Sequence, residues 1–87
     1  MNVHPIVFND LVTLRPLNSL GALHEPDFTI QVVPHYSADA EQGRVSVEAP
    51  LGRAVMRRHT GDIVTIRVQD HAMSMRIMAV VKPPQPE

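Results

Sequence analysis

Residues 43–68, GRVSVEAPLGRAVMRRHTGDIVTIRV, decide the fold because the spacing of their apolar side chains changes twice. Residues 44–48 alternate apolar and polar side chains, which predicts a strand with Val45 and Val47 facing inward. Pro50 then favours the first position of a helix, where its missing N–H costs nothing. The stretch therefore predicts a strand that leads directly into a short helix.

The helix predicted from Pro50 has two different faces. The apolar face follows the spacing of a helix and consists of Leu51, Ala54 and Val55. The opposite face consists of Gly52, Arg53, Met56 and Arg57. Because methionine and arginine are enriched at protein interfaces, this second face is a candidate docking patch, the alternative being that Met56 caps the edge of the core. We expect Arg57 and Arg58 to lie in the last turn of this helix and Gly61 to end it.

Alternation of apolar and polar residues predicts four further strands, which we expect to form one sheet with the strand at 44–48. The additional strands cover 11–15, 28–32, 62–68 and 73–81. The inward rows are Phe28, Ile30 and Val32 in the second strand, Val64, Ile66 and Val68 in the fourth, and the odd-numbered residues from Met73 to Val81 in the fifth. The connections are 17–26, 35–43 and 69–72. These elements predict an α+β domain over 1–81, with an antiparallel sheet of about five strands packed on one short helix, and a proline-rich flexible tail over 82–87.

Charge divides the chain into an acidic and a basic half. Residues 1–43 carry one basic and five acidic side chains, whereas residues 44–87 carry seven basic and four acidic ones. This polarity suits docking onto a patterned protein surface. A net charge of −1 and only three aromatic residues, none close in sequence to the arginines at 53–58, argue against nucleic-acid binding. No apolar run is long enough to span a membrane and residues 1–14 do not resemble a secretory signal, so we expect a cytoplasmic protein.

No motif in the sequence indicates catalysis. Five histidines lie in separate segments and cysteine is absent, so the spacing typical of a zinc site is missing. No serine lies in a nucleophile elbow, and the four glycines are isolated from one another, which excludes a glycine-rich phosphate loop. We therefore predict a protein that is not an enzyme and needs no metal, cofactor or small-molecule substrate.

The order of these elements resembles the C-terminal domain of the GreA/GreB transcription elongation factors and, similarly, the regulator of nucleoside diphosphate kinase. The features that carry the resemblance are Val45-Ser46-Val47, the Ala49-Pro50 step, the helix from Leu51, Gly61-Asp62 and the strand that follows. Phe28-Thr29-Ile30 and the acidic loop 37–41 also fall where the family has its second strand and the loop before Gly43. The resemblance covers nearly the whole chain and implies the FKBP-like fold, an antiparallel sheet wrapped on a short helix.

The resemblance also implies a partner. Family members dock on RNA polymerase at the rim of its secondary channel, through the segment before the helix. The matching residues here, together with the exposed helix face, are Glu48, Ala49, Pro50, Leu51, Arg53, Met56 and Arg57. Ala49 replaces the family's serine, which removes a hydroxyl that could cap the helix or meet the partner.

Two departures from the family leave the function open. The family's N-terminal coiled coil, which assists transcript cleavage, has no counterpart in the roughly ten residues before the first strand, so we expect no stimulation of cleavage. Residues 69–72 replace the family's glycine-rich last hairpin. This replacement, together with Ala49 in place of the family's serine, motivates the alternative to a polymerase-binding module: a regulator that binds another cytoplasmic protein, as the resemblance to the nucleoside diphosphate kinase regulator allows.

Overall fold

The computed structural model describes residues 4–17 and 26–83, apart from the side chain of Val68. The strands are β1 (Leu11–Pro16), β2 (Phe28–Val33), β3 (Arg44–Ser46), β4 (Ile63–Val68) and β5 (His71–Val81). Helix α1 spans Pro50–Val55, and two 3₁₀ turns span His35–Ser37 and Ala40–Gln42. Most of the predicted connection over 17–26 and the end of the predicted tail, 84–87, lie outside the described residues.

The five strands form one sheet in the order β3-β2-β1-β5-β4. This confirms the predicted class, a five-stranded sheet with one short helix, but the sheet is mixed because β2 and β3 are parallel. The other three pairs are antiparallel. The parallel pair arises from the connection between β2 and β3, where residues 35–43 were predicted as a plain loop. Its two 3₁₀ turns carry the chain back along the sheet before β3 begins.

The core lies where one face of the sheet meets α1. Its buried members are Ile6, Val12, Leu14, Ile30, Val32, Val55, Val64, Met75 and Ile77. Three residues predicted to face inward pack against this cluster: Val45, Val47 and Ile66. Phe28, which was also predicted to face inward, is exposed at the start of β2. Ile6 was not predicted in the core, since a lone isoleucine before the first strand shows no periodicity.

The segment before β1 is tied to the chain that follows α1. The Ile6 N–H donates to the Arg58 carbonyl oxygen and the Arg57 N–H donates to the Ile6 carbonyl oxygen, both at 2.9 Å. Arg57 has a φ of 68°, in the left-handed region, and α1 ends at Val55. The predictions that Arg57 and Arg58 form the last helical turn and that Gly61 stops it are therefore wrong. Pairing with Ile6 takes the backbone groups that another helical turn would need.

A bulge in β5 changes which residues face the core. Thr13 pairs with Ala79 and Leu14 pairs with Ile77, so Met78 is an extra residue in β5. One extra residue reverses the faces of all the residues beyond it. Met75 and Ile77 are buried as predicted, but after Met78 it is Val80 that packs on the core, while Val81 is 54% exposed. The predicted row of odd-numbered residues is confirmed at Met75 and Ile77 and is wrong beyond the bulge at Met78.

The segment before β1 contacts the segment after β5 at Asp10. Asp10 is only 1% exposed, and its carboxylate accepts from the Val7 N–H at 3.0 Å and from the Lys82 Nζ at 2.7 Å. Lys82, the first residue of the predicted tail, is thus held against the domain. Among residues 4–17 and 26–83, no helix has the length and apolar character needed to cross a bilayer.

Candidate functional site

The segment between β3 and α1, residues 46–49, forms a tight turn that we call the pre-helix turn. The Ala49 N–H donates to the Ser46 carbonyl oxygen at 3.0 Å, which closes the turn. The Val47 N–H donates to the Val33 carbonyl oxygen at 2.9 Å, which continues the pairing of β3 with β2. The Ser46 Oγ, in a buried residue, accepts from the Glu48 N–H at 3.0 Å. These bonds fix the backbone at Glu48 without using its side chain, which is exposed.

The first turn of α1 lies directly against the end of β3. Gly52 is buried, and a Cβ added to it would overlap the Ser46 carbonyl oxygen and crowd the Cα of Val47. The prediction that Gly52 shares the exposed helix face with Arg53 is therefore wrong. Gly52 instead allows the helix to approach the strand closely, and that contact holds the pre-helix turn in place.

Exposure separates the predicted docking residues into two groups. Glu48, Pro50, Arg53 and Arg57 are exposed, whereas Ala49, Leu51 and Met56 are half-buried. Leu51 and Met56 pack against the core cluster, so Met56 lies at the core edge, as the alternative to a docking patch describes. Glu48, Pro50 and Arg53 follow one another along the pre-helix turn and the start of α1. Arg57 lies beyond the helix, where its backbone pairs with Ile6.

Ala49 occupies the N-cap position of α1. Its φ of −73° and ψ of 155° are the extended geometry of an N-cap residue, yet no side chain caps the helix there. The Arg53 N–H donates to the Ala49 carbonyl oxygen at 2.9 Å, which begins the helical hydrogen bonding. The backbone therefore has the geometry that a serine would use for capping, without the oxygen.

A second element lies beside the pre-helix turn, and no motif in the sequence predicted it. The His35 Nδ1 lies 3.2 Å from the Ser46 Oγ, the same oxygen that accepts from Glu48. The first 3₁₀ turn, His35–Ser37, is thereby joined to the pre-helix turn through one hydroxyl group. The contact forms because β2 and β3 are parallel, so the chain leaves both strands at the same end of the sheet. A pattern read along the chain does not show parallel pairing.

The site has the character of a contact surface. Its exposed charged groups, Glu48 and Arg53, are of opposite sign, and the backbone beneath them is held by hydrogen bonds. Within the part of the chain that the structure describes, no three metal-ligating side chains are grouped together. The arrangement can present charge and apolar surface to another macromolecule.

Comparison with known proteins matches this domain to one family. The family model described as "Transcription elongation factor, GreA/GreB, C-term" matches residues 6–82. The transcription elongation factor GreA of Neorickettsia sennetsu is 31% identical over 75 residues, covering 86% of this chain and 44% of that protein. GreA of Sinorhizobium medicae is 32% identical over 56 residues, covering 64% of this chain and 35% of that protein. The chain therefore spans less than half the length of these relatives.

Two solved structures share the fold. The transcription elongation factor GreA/GreB of Nitrosomonas europaea superposes with a TM-score of 0.71 at 20% identity, covering 93% of this chain and 63% of that one. GreA factor homolog 1 of Thermus thermophilus superposes with a TM-score of 0.68 at 21% identity, covering 91% of this chain and 48% of that one. In both, the likeness is to the mixed five-stranded sheet and its short helix.

Proposed function

This chain belongs to the GreA/GreB family of transcription elongation factors through its C-terminal domain, and from that membership we propose that it binds RNA polymerase as a regulatory module. The contact is made at the rim of the secondary channel, in the cytoplasm, by the pre-helix turn and the start of α1. The observation that carries the proposal is the rigid, exposed presentation of Glu48 and Pro50 at the position where the family resemblance puts the docking segment.

Rigidity supports a binding role for this turn. A loop that is already held in one conformation loses little conformational entropy when it binds, so more of the contact energy appears as affinity. Ser46 holds the backbone at Glu48, and Gly52 lets α1 pack close behind the turn. Neither interaction occupies the exposed side chains of Glu48, Pro50 and Arg53.

Binding of the purified chain to core RNA polymerase tests this proposal. We expect the double variant Glu48→Lys/Pro50→Ala to raise the Kd at least about tenfold, since a charge is reversed and a rigid contact is lost at one surface. Glu41→Lys is the matched control, because Glu41 is an exposed acidic residue outside this surface. Its substitution by lysine changes the net charge by the same amount as the double variant does. Equal binding by the double variant and the wild type would overturn the proposed surface.

A second part of the proposal concerns transcript cleavage. In the family, the coiled coil carries the acidic tip that assists cleavage, and none of the elements described here is a coiled coil. We therefore expect the 87-residue chain to bind polymerase without stimulating the cleavage of backtracked RNA. Cleavage on addition of the pure chain would contradict this part of the proposal and leave the binding surface intact.

The alternative function is regulation of another cytoplasmic protein through the same surface. Two observations favour it: the uncapped N-terminus of α1 at Ala49, and the tight connection at Gln69 and Asp70, where Gln69 has a φ of 56°. Both lie where the chain departs from the family pattern. Affinity capture from the native cytoplasm, with the Glu48→Lys/Pro50→Ala variant as control, separates the alternatives. Recovery of polymerase subunits with the wild type alone favours the leading proposal.

A further inference from the structure

One end of the sheet carries exposed apolar side chains beside the pre-helix turn. Because β2 and β3 are parallel, the chain leaves both strands at this end, into the first 3₁₀ turn and the pre-helix turn. The turn before β1 lies here too, since the Asn9 N–H donates to the Val32 carbonyl oxygen at 2.8 Å, and β5 ends here, with Val81 opposite Leu11. The large apolar or aromatic residues exposed at this end are Val7, Phe8, Tyr36 and Val81.

Tyr36 is the most exposed of these residues. Its exposed fraction is 88%, against 44% for Phe8. Tyrosine is among the residues that most often dominate binding energy at interfaces, and Tyr36 lies beside the other exposed apolar side chains at this end of the sheet, so its ring is a candidate contact for a partner. Two χ angles define its side chain, so little rotamer entropy is lost when the ring is bound.

The backbone that carries Tyr36 is held by hydrogen bonds. The Ser37 N–H donates to the Pro34 carbonyl oxygen at 2.9 Å, and the Ala38 N–H donates to the His35 carbonyl oxygen at 3.1 Å. The neighbouring His35 ring contacts the Ser46 Oγ, which also accepts from the Glu48 N–H. Tyr36 and Glu48 are therefore presented by two turns that are joined to each other.

We propose that Tyr36 is an aromatic anchor of the docking surface formed by the pre-helix turn, and that the partner offers an apolar pocket for its ring next to a basic group facing Glu48. The inference rests on the proposed function and specifies the chemistry of the partner's surface. Tyrosine suits such a pocket because its ring is apolar while its hydroxyl group can still bond at the rim.

Equilibrium binding to core RNA polymerase tests the inference with three variants. We expect Tyr36→Ala to raise the Kd at least about tenfold and Tyr36→Phe to retain most of the affinity, because the ring supplies most of the contact. Phe28→Ala is the matched control, since Phe28 is an exposed aromatic residue at the opposite end of β2. Thermal unfolding of Tyr36→Ala should match the wild type, because the side chain has almost no contacts to lose.

Each outcome bears on a different claim. Loss of affinity in Tyr36→Ala with wild-type binding by Phe28→Ala supports the anchor. Wild-type affinity in Tyr36→Ala, while Glu48→Lys/Pro50→Ala binds weakly, overturns the anchor and leaves the proposed function standing. If the wild type itself fails to bind polymerase, the proposed function and the anchor both fall.

Discussion

Gly52 sets the distance between α1 and β3, and the reason is steric. In most helix interiors, replacing glycine by alanine gains about 1 kcal/mol, because alanine has the higher helix propensity. At this position the added Cβ would overlap the Ser46 carbonyl oxygen, which belongs to backbone and has little freedom to move. Helix propensity therefore predicts that Gly52→Ala raises stability, whereas the local geometry predicts that it lowers stability.

We expect Gly52→Ala to lower the free energy of unfolding by about 3 kcal/mol, as measured by urea denaturation. The comparison variant is Gly61→Ala: Gly61 has a φ of 96° and no atom within 4 Å of an added Cβ, so only backbone strain opposes the change. That variant should lose about 1–2 kcal/mol. A gain in stability for Gly52→Ala would contradict the close approach of helix and strand.

Ala49 offers a gain of stability at a single residue. The N-cap geometry is already present, so Ala49→Ser supplies a side-chain oxygen to the free N–H groups of the first helical turn. We expect the free energy of unfolding to rise by about 1 kcal/mol. Ala38→Ser, at an exposed alanine outside α1, is the control and should be neutral. No difference between the two variants would show that the position is not a functional cap.

Arg15 and Asp27 form an exposed ion pair whose effect depends on pH. The Nε and Nη2 of Arg15 donate to the two carboxylate oxygens of Asp27 at 2.9 and 3.2 Å, and these hydrogen bonds lower the pKa of Asp27. Stability from this pair is fully present above the ordinary pKa of an aspartate and is lost as the pH falls through the lowered value. An NMR titration of the Asp27 carboxyl carbon should show that pKa rising in Arg15→Gln and unchanged in the control Arg67→Gln.

At the scale of whole elements, the bulge at Met78 decides how β5 meets the core. Val80 packs on the core cluster and Val81 faces solvent, the reverse of what unbroken alternation predicts. We expect Val80→Ser to lower the free energy of unfolding by about 2 kcal/mol and Val81→Ser to change it by less than about 0.5 kcal/mol. Thermal unfolding of the two variants measures the difference. The opposite ranking would mean that β5 pairs with β1 without the bulge.

The elements themselves could be predicted because each depends on residues near one another in sequence. Alternation located the strands, and Pro50 located the start of the helix. The parallel pairing of β2 with β3, the extra residue in β5 and the early end of α1 depend on contacts between distant segments, such as Ile6 with Arg57. The docking segment was proposed from a family resemblance, but the contact of His35 with Ser46 needed the direction of β3, which no local pattern specifies.

At the scale of the molecule, one ion pair closes the domain. Asp10 and Lys82 are 72 positions apart, and their contact joins the segment before β1 to the segment after β5. The Asp10 carboxylate is buried, whereas the Lys82 side chain is 47% exposed. Removing the lysine side chain would leave this buried negative charge with a hydrogen bond from the Val7 N–H as its remaining contact among the described residues. Leaving a buried charge without its partner is destabilising.

We expect Lys82→Met to lower the free energy of unfolding by about 2 kcal/mol, measured by chemical denaturation. Asp10→Asn on the Lys82→Met background should recover part of that loss, because the neutral amide can still accept from the Val7 N–H. Arg67→Met, which removes an exposed cation from β4, is the control and should be close to neutral. Additive effects of the changes at Asp10 and Lys82 would show that the pair is not coupled.

Lys82 is also the only lysine in the chain. Among the side chains of these 87 residues, a reagent that acylates amines can therefore react only there, and acylation of Lys82 removes the cation that Asp10 requires. Coupling the protein to a dye or a solid support through its amines would thus weaken the closure of the domain.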